Sequence, residues 1–275
     1  MCPMNPRLLR PTASIHPEAA DWANRVRTNG GTVSGSTLNH VSRFCRQIDA
    51  AGIRDKFYRL NLFCGTGLNA CLVPLYRGPS LGGTQYGNVT DTNNGPFVSG
   101  DYAETGASGG LQGNGSSKRL DTGLSGSELS PGNRHLSAYE IVNATTTYSP
   151  ALLSGNALAT MHGLGPWTSA DTIAYRTFNA VAGNITAAKN TGYWLGNDTS
   201  TTASVLYRNG SSVASATGQN AGGSGNTEYS IFGRPGEYSE ARIGGYTIGI
   251  SITAEQVLSL YNAMQVFQTA LGRNV

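Results

Sequence analysis

Carboxylate pairs are the residues in this sequence whose spacing most directly raises the question of catalysis. Cleavage of a glycosidic bond requires two carboxyl groups, one on each side of the bond. Glu237 and Glu240 are three residues apart in a segment bounded by Gly and Pro, and Asp101 and Glu104 have the same spacing. Because side chains on one face of a strand lie two residues apart, neither pair is aligned on a strand face. We therefore predict no catalytic residue of this kind.

A nucleophilic serine is also disfavoured. Gly106-Ala-Ser-Gly-Gly110 matches the pattern G-x-S-x-G, in which the serine stands at a sharp turn between a strand and a helix. The sequence is rich in glycine on both sides of this match, which is typical of a loop. The histidines share no spacing suited to a catalytic triad or a metal site: His16, His40, His135 and His162. We predict that the chain is not an enzyme and that it requires no cofactor.

One segment could bind calcium. Asp91-Thr-Asn-Asn-Gly95 offers oxygen ligands, with Asp91 and Asn93 as the candidates, although its glycine comes one position too early for an EF-hand loop. The alternative is an Asx-rich turn, because Asp and Asn side chains hydrogen-bond to nearby backbone in turns.

The cysteines do not indicate a zinc site. No pair has CxxC spacing and no histidine lies close enough to complete a zinc site; the cysteines are Cys2, Cys45, Cys64 and Cys71. We expect free thiols packed as small apolar side chains. A disulfide bond between Cys64 and Cys71 is the alternative that the spacing leaves open.

Three aromatic residues are candidates for binding a sugar. Trp167, Tyr193 and Trp194 lie in or beside predicted loops, and an exposed aromatic ring can stack on the apolar face of a sugar. Burial in the core is the alternative interpretation, above all for Trp194 within Tyr-Trp-Leu.

The chain is poor in charge. Charged residues make up 13% of it, about half the usual share, and Ser, Thr, Asn and Gly take their place. Positive charge is concentrated before residue 60, where an acidic partner could bind the anchoring candidates Arg7, Arg10, Arg25 and Arg27; a solvated helix face is the alternative. This positive charge is too dilute to predict nucleic-acid binding.

No apolar run is long enough to predict a membrane span, and the first residues lack the apolar region of a secretory signal.

The N-terminal part predicts an arm followed by helices. Residues 1–17 contain four prolines, which predict an extended arm. Pro17 suits the first turn of a helix that ends at Gly30-Gly31, and a second helix is predicted from about Ser36 to Ala51. We therefore divide the chain into the arm (1–17), a helical head (18–57) and a β domain (58–275).

From Tyr58 onward, apolar residues recur at every second position. The alternation predicts strands at 58–64, 136–142, 172–178 and 192–195, and Asn209-Gly210 predicts a hairpin because both residues tolerate positive φ. Thr253 and Gln256 have the spacing of a capping box, which predicts a helix from Ala254 to Leu271. Together these patterns predict a mainly β fold closed by one C-terminal helix.

Three segments resemble a known family. Residues 113–123 resemble the strand–turn–strand that opens many laminin-G-like domains, Val205 to Val213 resembles the hairpin of that family, and Ala241 to Leu271 looks like its closing strand and helix. The resemblance covers roughly residues 57–275. It implies a concanavalin-A-like jelly-roll sandwich, here with a small N-terminal helical segment.

A second resemblance concerns the head. The segments from Asp21 to Ser34 and from Ile53 to Gly65 are similar to the head of tail or structural proteins of tailed bacteriophages that carry a lectin-like domain. This resemblance implies a virion location and a non-enzymatic structural protein, on the capsid as decoration or in the tail and fibres. The N-terminal part would anchor a homo-oligomer to other virion proteins, with the sandwich facing outward. The alternatives are a carbohydrate-binding module that recognises a host glycan and, less favoured, a polysaccharide hydrolase.

Overall fold

The computed structural model describes residues 14–146, 152–154, 162–166, 169, 171–177, 184–218 and 225–275. Its helices, numbered in chain order, are Pro17–Thr28 (α1), Gly35–Ala50 (α2), Leu68–Cys71 (α3) and Ala254–Ala270 (α4). Its strands are Phe57–Asn61 (β1), Thr92–Asn94 (β2), Tyr102–Ala103 (β3), Gly110–Gln112 (β4), Arg119–Ser125 (β5), His135–Val142 (β6), Leu152–Ser154 (β7), His162–Gly165 (β8), Thr172–Arg176 (β9), Asn184–Ala188 (β10), Gly192–Ser200 (β11), Ala203–Arg208 (β12), Ser211–Thr217 (β13), Glu228–Ile231 (β14), Gly233–Arg234 (β15), Glu237–Tyr238 (β16) and Arg242–Gly249 (β17).

Two antiparallel sheets form a sandwich. One has the strand order β13-β12-β11-β6-β17-β4-β3, with β1 also paired to β17, and the other has the order β10-β9-β8-β7-β14-β5-β2. β15 and β16 form a separate two-stranded ribbon. The predicted mainly β sandwich with a C-terminal helix is confirmed, whereas the division of the chain at residues 17 and 57 stays a prediction.

Helices α1, α2 and α4 begin where side chains can satisfy their first N–H groups. His16 accepts a hydrogen bond from the Glu18 N–H at the start of α1, and Ser34 does the same for Thr37 in α2. Thr253 and Gln256 form a reciprocal capping box at the start of α4, as predicted.

A layer of helices covers the outer face of the eight-stranded sheet. The apolar stripes of α1, α2 and α4 meet strand residues such as Tyr139 and Leu195 in one buried cluster. Phe44 of α2 and Phe267 of α4 meet edge to face with ring centroids 6.0 Å apart. None of these short helices could bury its apolar stripe alone, so their order depends on the sheet beneath them.

The space between the sheets holds a second apolar cluster and a buried polar network centred on Asp198. Its Oδ1 accepts hydrogen bonds from the hydroxyls of Tyr175 (3.0 Å) and Ser204 (2.8 Å), and its Oδ2 accepts one from Arg134 Nε (2.8 Å). The side chains of Arg134 and Asp198 are fully buried. Burial raises the pKa of Asp198, and Arg134 and the hydrogen bonds oppose that shift.

His162 of β8 extends this network to Tyr229 of β14. Its Nε2 lies 2.9 Å from the Tyr175 hydroxyl and its Nδ1 lies 2.6 Å from the Tyr229 hydroxyl. Because the Tyr175 proton points to Asp198, Nε2 must donate to Tyr175 and Nδ1 must accept from Tyr229. Burial lowers the pKa of His162 well below its usual value, which agrees with this neutral form.

Several sequence predictions differ from the structure only at their ends. β1 ends at Asn61 rather than at Cys64, and β11 continues to Ser200. The hairpin at Asn209-Gly210 is confirmed, with φ angles of 50° and 78° at its two turn residues. In the described part of the chain, no helix is long and apolar enough to cross a membrane.

The described cysteines are free. Cys45, Cys64 and Cys71 are buried without a disulfide bond, so the Cys64–Cys71 bridge is not formed; Cys2 lies outside the described residues. Burial raises the pKa of all three thiols, that of Cys45 to about 12. They therefore pack as small apolar side chains, as expected.

Substitution of Asp198 by Ala tests the polar network between the sheets. The change removes the counter-charge of Arg134 in a fully buried position, so we expect the free energy of unfolding to fall by about 3–5 kcal/mol. Chemical denaturation measures this loss. Asp171→Ala is the matched control, because Asp171 is exposed and should change stability by less than about 0.5 kcal/mol. Equal effects of the two substitutions would contradict the role given to Asp198.

Candidate ligand-binding cleft

The structure does not support Tyr193 and Trp194 as ligand-binding aromatics. Each residue is 1% exposed. The Tyr193 ring stacks on Tyr261 of α4 at 6.3 Å, whereas Trp194 lies between the sheets and donates from Nε1 to the Asn190 carbonyl at 2.8 Å. Neighbouring residues on a strand point to opposite faces, and both faces of β11 are covered here. Trp167 lies outside the described residues, so its role stays a prediction.

The calcium interpretation of Asp91 and Asn93 is not supported either. Asp91 is 1% exposed, and its oxygens accept hydrogen bonds from Arg59 (2.7 Å), Tyr246 (2.8 Å) and Asn61 (2.8 Å). Asn93 closes a turn by bonding to both the N–H and the carbonyl of Phe97. Among the described residues, no three His, Cys, Asp or Glu side chains are grouped so that they could hold a metal ion. The segment is the Asx-rich turn of the alternative interpretation, fixed by a buried ion pair.

The arginines predicted to anchor the protein differ in their contacts. Arg25 holds α1 in place, because it pairs with Asp21 (2.8 Å) and donates to the carbonyls of Pro74 (2.6 Å) and Leu75 (2.9 Å). Arg27 is exposed and bonds to Asn24 on its own helix, so anchoring stays a prediction for it. Arg7 and Arg10 lie outside the described residues.

The carboxylates considered as catalytic residues form ion pairs and hydrogen bonds within the fold. Asp101 pairs with Lys118 at 2.5 Å, and Glu237 pairs with Arg234 at 3.0 Å. Glu104 accepts hydrogen bonds from the Thr37 hydroxyl (2.7 Å) and the Gly65 N–H (2.8 Å).

Glu240 also has a structural role. It accepts hydrogen bonds from the backbone N–H and hydroxyl groups of Thr145 and Thr146. Burial acts to raise the pKa of Glu240, but these hydrogen bonds outweigh it and lower the pKa to about 2. A carboxyl group with such a pKa is ionised at neutral pH and is a poor general acid.

A polar cleft of about 450 Å³ opens where β11 and β17 end and α4 begins. Its volume falls within the range of small-molecule sites, about 300–1,000 Å³. Ile252 contributes to the lining, and the other lining residues carry polar side chains: Lys56, Asn197, Thr199, Ser251, Thr253 and Gln256. Among the described residues, no carboxylate lines the cleft, and Lys56 supplies the one ionisable group of the lining.

The loop from Ile250 to Thr253 is held firmly at the cleft. Asn197 donates from Nδ2 to the Ile252 carbonyl (3.0 Å) and accepts from the Ile252 N–H (3.1 Å). The Ser251 hydroxyl donates to Asn133 Oδ1 at 2.7 Å, and the Ile250 N–H donates to the Lys56 carbonyl at 3.0 Å. The shape of the cleft is therefore set before any ligand binds.

The cleft also presents polar groups with unused hydrogen-bonding capacity. Gln256 uses its Oε1 to accept from the Thr253 N–H at 3.0 Å, and in the described part of the chain its Nε2 donates to nothing. Lys56 Nζ bonds to Asp55 at 3.1 Å, which leaves further N–H groups. The Ser251 and Thr199 hydroxyls donate to protein oxygens and keep lone pairs that can accept. Donors and acceptors thus line the same cleft.

Sequence reasoning missed this cleft. Lys56, Asn197 and Gln256 come from three distant segments, and no spacing motif joins them. The one local signal was the capping box, which located the start of α4 but gave no sign of its neighbours.

A buried carboxyl group lies elsewhere in the sandwich. Glu140 is 1% exposed and shares a face of β6 with Leu136 and Ala138, which point between the sheets. Within the described residues its Oε2 has no hydrogen-bond partner, and Lys189 donates to the Ala144 carbonyl instead. Burial raises the pKa of Glu140 to about 7, and the Lys189 charge opposes the shift.

Comparison with solved structures found a receptor-binding domain that has a similar fold. The receptor-binding domain of a botulinum neurotoxin of the C/D mosaic serotype superposes with a TM-score of 0.52 and 12% identity, over 76% of this chain and 52% of that one. The chain thus spans about half the length of the neurotoxin domain. This likeness supports the lectin-like sandwich, and the bacteriophage part of the resemblance stays a prediction.

Two further structures show weaker likeness. Domain 4 of an extracellular arabinanase from Geobacillus stearothermophilus, in complex with arabinotriose, has a TM-score of 0.44 and 16% identity over 62% of this chain and 86% of that one. A Trypanosoma rangeli sialidase has a TM-score of 0.46 and 11% identity over 82% of this chain and 38% of that one. No protein-family model matches the sequence, and no curated protein matches it.

Substitution of Glu140 by Gln tests the buried carboxyl group through pH. In the unfolded chain this group loses its proton near the usual value of about 4.3, but in the folded protein only near pH 7. The wild-type protein therefore loses stability as pH rises between these values. Relative to wild type, Glu140→Gln should gain on the order of 3 kcal/mol between about pH 4 and about pH 8.

Denaturant titrations at several pH values give this difference. Glu128→Gln serves as the control, because Glu128 is exposed and should show little relative gain. A pH profile of Glu140→Gln parallel to that of wild type would rule out a raised pKa at Glu140.

Proposed function

We propose that this protein is a non-catalytic carbohydrate-binding module and that the cleft beside Gln256 holds the sugar. The observation that carries the proposal is the combination of a rigid wall with unused donors and acceptors. Each sugar hydroxyl both donates and accepts a hydrogen bond, so it can satisfy both kinds of group. A ligand without hydroxyls would leave the polar lining desolvated and unpaired, which costs binding free energy.

The charges at the cleft favour a neutral glycan. Lys56 is the one cation of the lining, and Asp55 already pairs with it at 3.1 Å. The ammonium group therefore acts as a hydrogen-bond donor whose charge is largely compensated. Hexoses or pentoses without carboxylate or sulfate groups fit this environment.

A binding role without hydrolysis fits the same geometry. Hydrolysis by the common mechanism requires two carboxyl groups flanking the bond to be broken, and in the part of the chain that the structure describes none lines the cleft. The carboxylates that sequence spacing raised are engaged in ion pairs, caps and turns away from it. The sandwich fold by itself hosts both binding domains and enzymes, so these site residues carry the argument.

Display on a virion is the further part of the proposal. It is supported by the resemblance of the N-terminal segments to bacteriophage structural proteins and by exposed Arg27 on α1. In this arrangement the N-terminal arm contacts other virion proteins and the sandwich presents its cleft to a glycan. Many weak sites on one particle would bind a host surface by avidity.

Substitution of Gln256 by Glu tests the cleft. The variant keeps an Oε1 acceptor for the Thr253 N–H, so the cap of α4 remains, but the donor Nε2 becomes an acceptor. After an array of neutral oligosaccharides identifies a ligand, isothermal titration should show an affinity about fivefold lower or worse, because one hydrogen bond contributes on the order of 1 kcal/mol.

The control for this experiment lies on the same helix. Gln265→Glu adds the same charge and keeps the acceptor for Tyr139, at a position that does not line the cleft. We expect wild-type affinity for this variant. Equal affinities of both variants and wild type, or no binding to any sugar on the array, would overturn the proposed site.

A truncation tests display on a virion. His16 caps α1 and pairs with Asp49 at 2.8 Å, and the Ser14 carbonyl accepts from Arg46, so the deletion must stop before residue 14. Removal of residues 1–13 should leave melting and sugar binding unchanged while the protein disappears from purified particles, as measured by mass spectrometry. Unchanged incorporation would refute anchoring by the arm without affecting the proposal for the cleft.

A further inference from the structure

β13 is an edge strand of the eight-stranded sheet and contains no charged residue. Its sequence, Ser-Ser-Val-Ala-Ser-Ala-Thr, contains neither charged residues nor proline, and five of its seven residues are exposed. It pairs with β12 on one side. On its other side, the described residues form no backbone hydrogen bond to it. An open edge of this kind is a template for another strand.

The neighbouring edge of the second sheet has the same character. β10 is the last strand there, pairs only with β9 among the described strands, and reads Asn-Ile-Thr-Ala-Ala. It contacts β13 and β12 across the sandwich. One lateral side of the molecule therefore presents two adjacent strands that lack charged residues.

The opposite lateral side is protected. There the sheets end in β3, with two residues, and β2, with three residues. The ion pairs Lys118–Asp101 and Arg119–Asp121 lie beside these strands. Short strands and nearby charges are the usual means by which proteins prevent edge-to-edge association. As far as the described residues go, one side of the sandwich is therefore protected against edge-to-edge association and the other is open.

We propose that β13 pairs with β13 of a second copy of this chain, in antiparallel orientation about a two-fold axis, to form one continuous sheet across a dimer. A two-fold contact uses the same surface on both copies, so the strand must be compatible with itself. β13 meets this condition, because its Ser, Ala and Thr side chains are small and uncharged, and no like charges meet in any register. The bulge at Val213, opposite Leu206 and Tyr207, limits regular pairing to the part of the strand beyond it.

Apolar contacts adjoin this edge. Val213 is 44% exposed and Leu258 of α4 is 47% exposed. The hairpin turn at Gly210 packs against Leu258 and Tyr261, so β13 and the outer face of α4 meet at one corner of the molecule. A partner that extends the sheet would cover part of this apolar surface in addition to satisfying the backbone groups.

Sedimentation of the full chain tests the proposal. Wild-type protein should be a dimer at micromolar concentrations, whereas Ser215→Lys should be monomeric. Ser215 is exposed near the middle of β13, so each copy would place a lysine close to its counterpart, and like charges facing each other across strands destabilise pairing. We expect a dissociation constant raised at least roughly tenfold, with the circular dichroism spectrum of the folded protein unchanged. Ser116→Lys, in an exposed loop, is the control and should remain dimeric.

Charge complementation separates edge pairing from a general loss of association. Ser215→Asp alone should also be monomeric, and an equimolar mixture with Ser215→Lys should restore the dimer, because opposite charges then meet. Monomeric wild-type protein, a dimeric Ser215→Lys variant, equal dissociation of the Ser116→Lys control, or a mixture that stays monomeric would each overturn the proposal. Sugar binding by the monomeric variants is expected to persist, so the two proposals can fail separately.

Discussion

Two adjacent polar residues of β11, Asn197 and Asp198, hold the molecule together in two directions. Because neighbours on a strand point to opposite faces, Asp198 reaches Tyr175 and Arg134 between the sheets while Asn197 reaches Ile252 on the helical side. Both residues are fully buried, so each must have its hydrogen bonds satisfied. The relation of the two sheets and the position of the loop before α4 are therefore fixed by one strand.

Features determined by neighbouring residues could be predicted from the sequence. The capping box at Thr253 and Gln256 and the turn at Asn209-Gly210 are local interactions, and the structure has both. Tyr193 and Trp194, by contrast, are buried and not available to a sugar, and this depends on residues that are distant in the sequence. Whether their rings are exposed depends on α4, distant in sequence, and on the second sheet, neither of which alternation along β11 can reveal.

The candidate cleft could not be predicted for the same physical reason. Lys56 precedes the first strand, Asn197 lies near the end of β11, and Gln256 lies in the first turn of the last helix. Their proximity follows from the order of strands in the sheet, which places β1 and β11 on either side of β17 and β6. The composition, low in charge and rich in Ser, Thr, Asn and Gly, indicates many uncharged hydrogen-bonding groups. Which of these groups face one another across a cavity depends on the fold.

The distribution of charge links the interior to both proposed surfaces. The pairs Arg59–Asp91 and Arg134–Asp198 are fully buried, where weak screening makes attraction strong and loss of a partner costly. A chain with only 13% charged residues thus uses part of its charge inside the sandwich. The proposed contacts at the cleft and at the β13 edge are hydrogen bonds and van der Waals contacts. Salt weakens such contacts far less than it weakens interactions between exposed charges. Binding at either surface should therefore depend on geometry much more than on ionic strength.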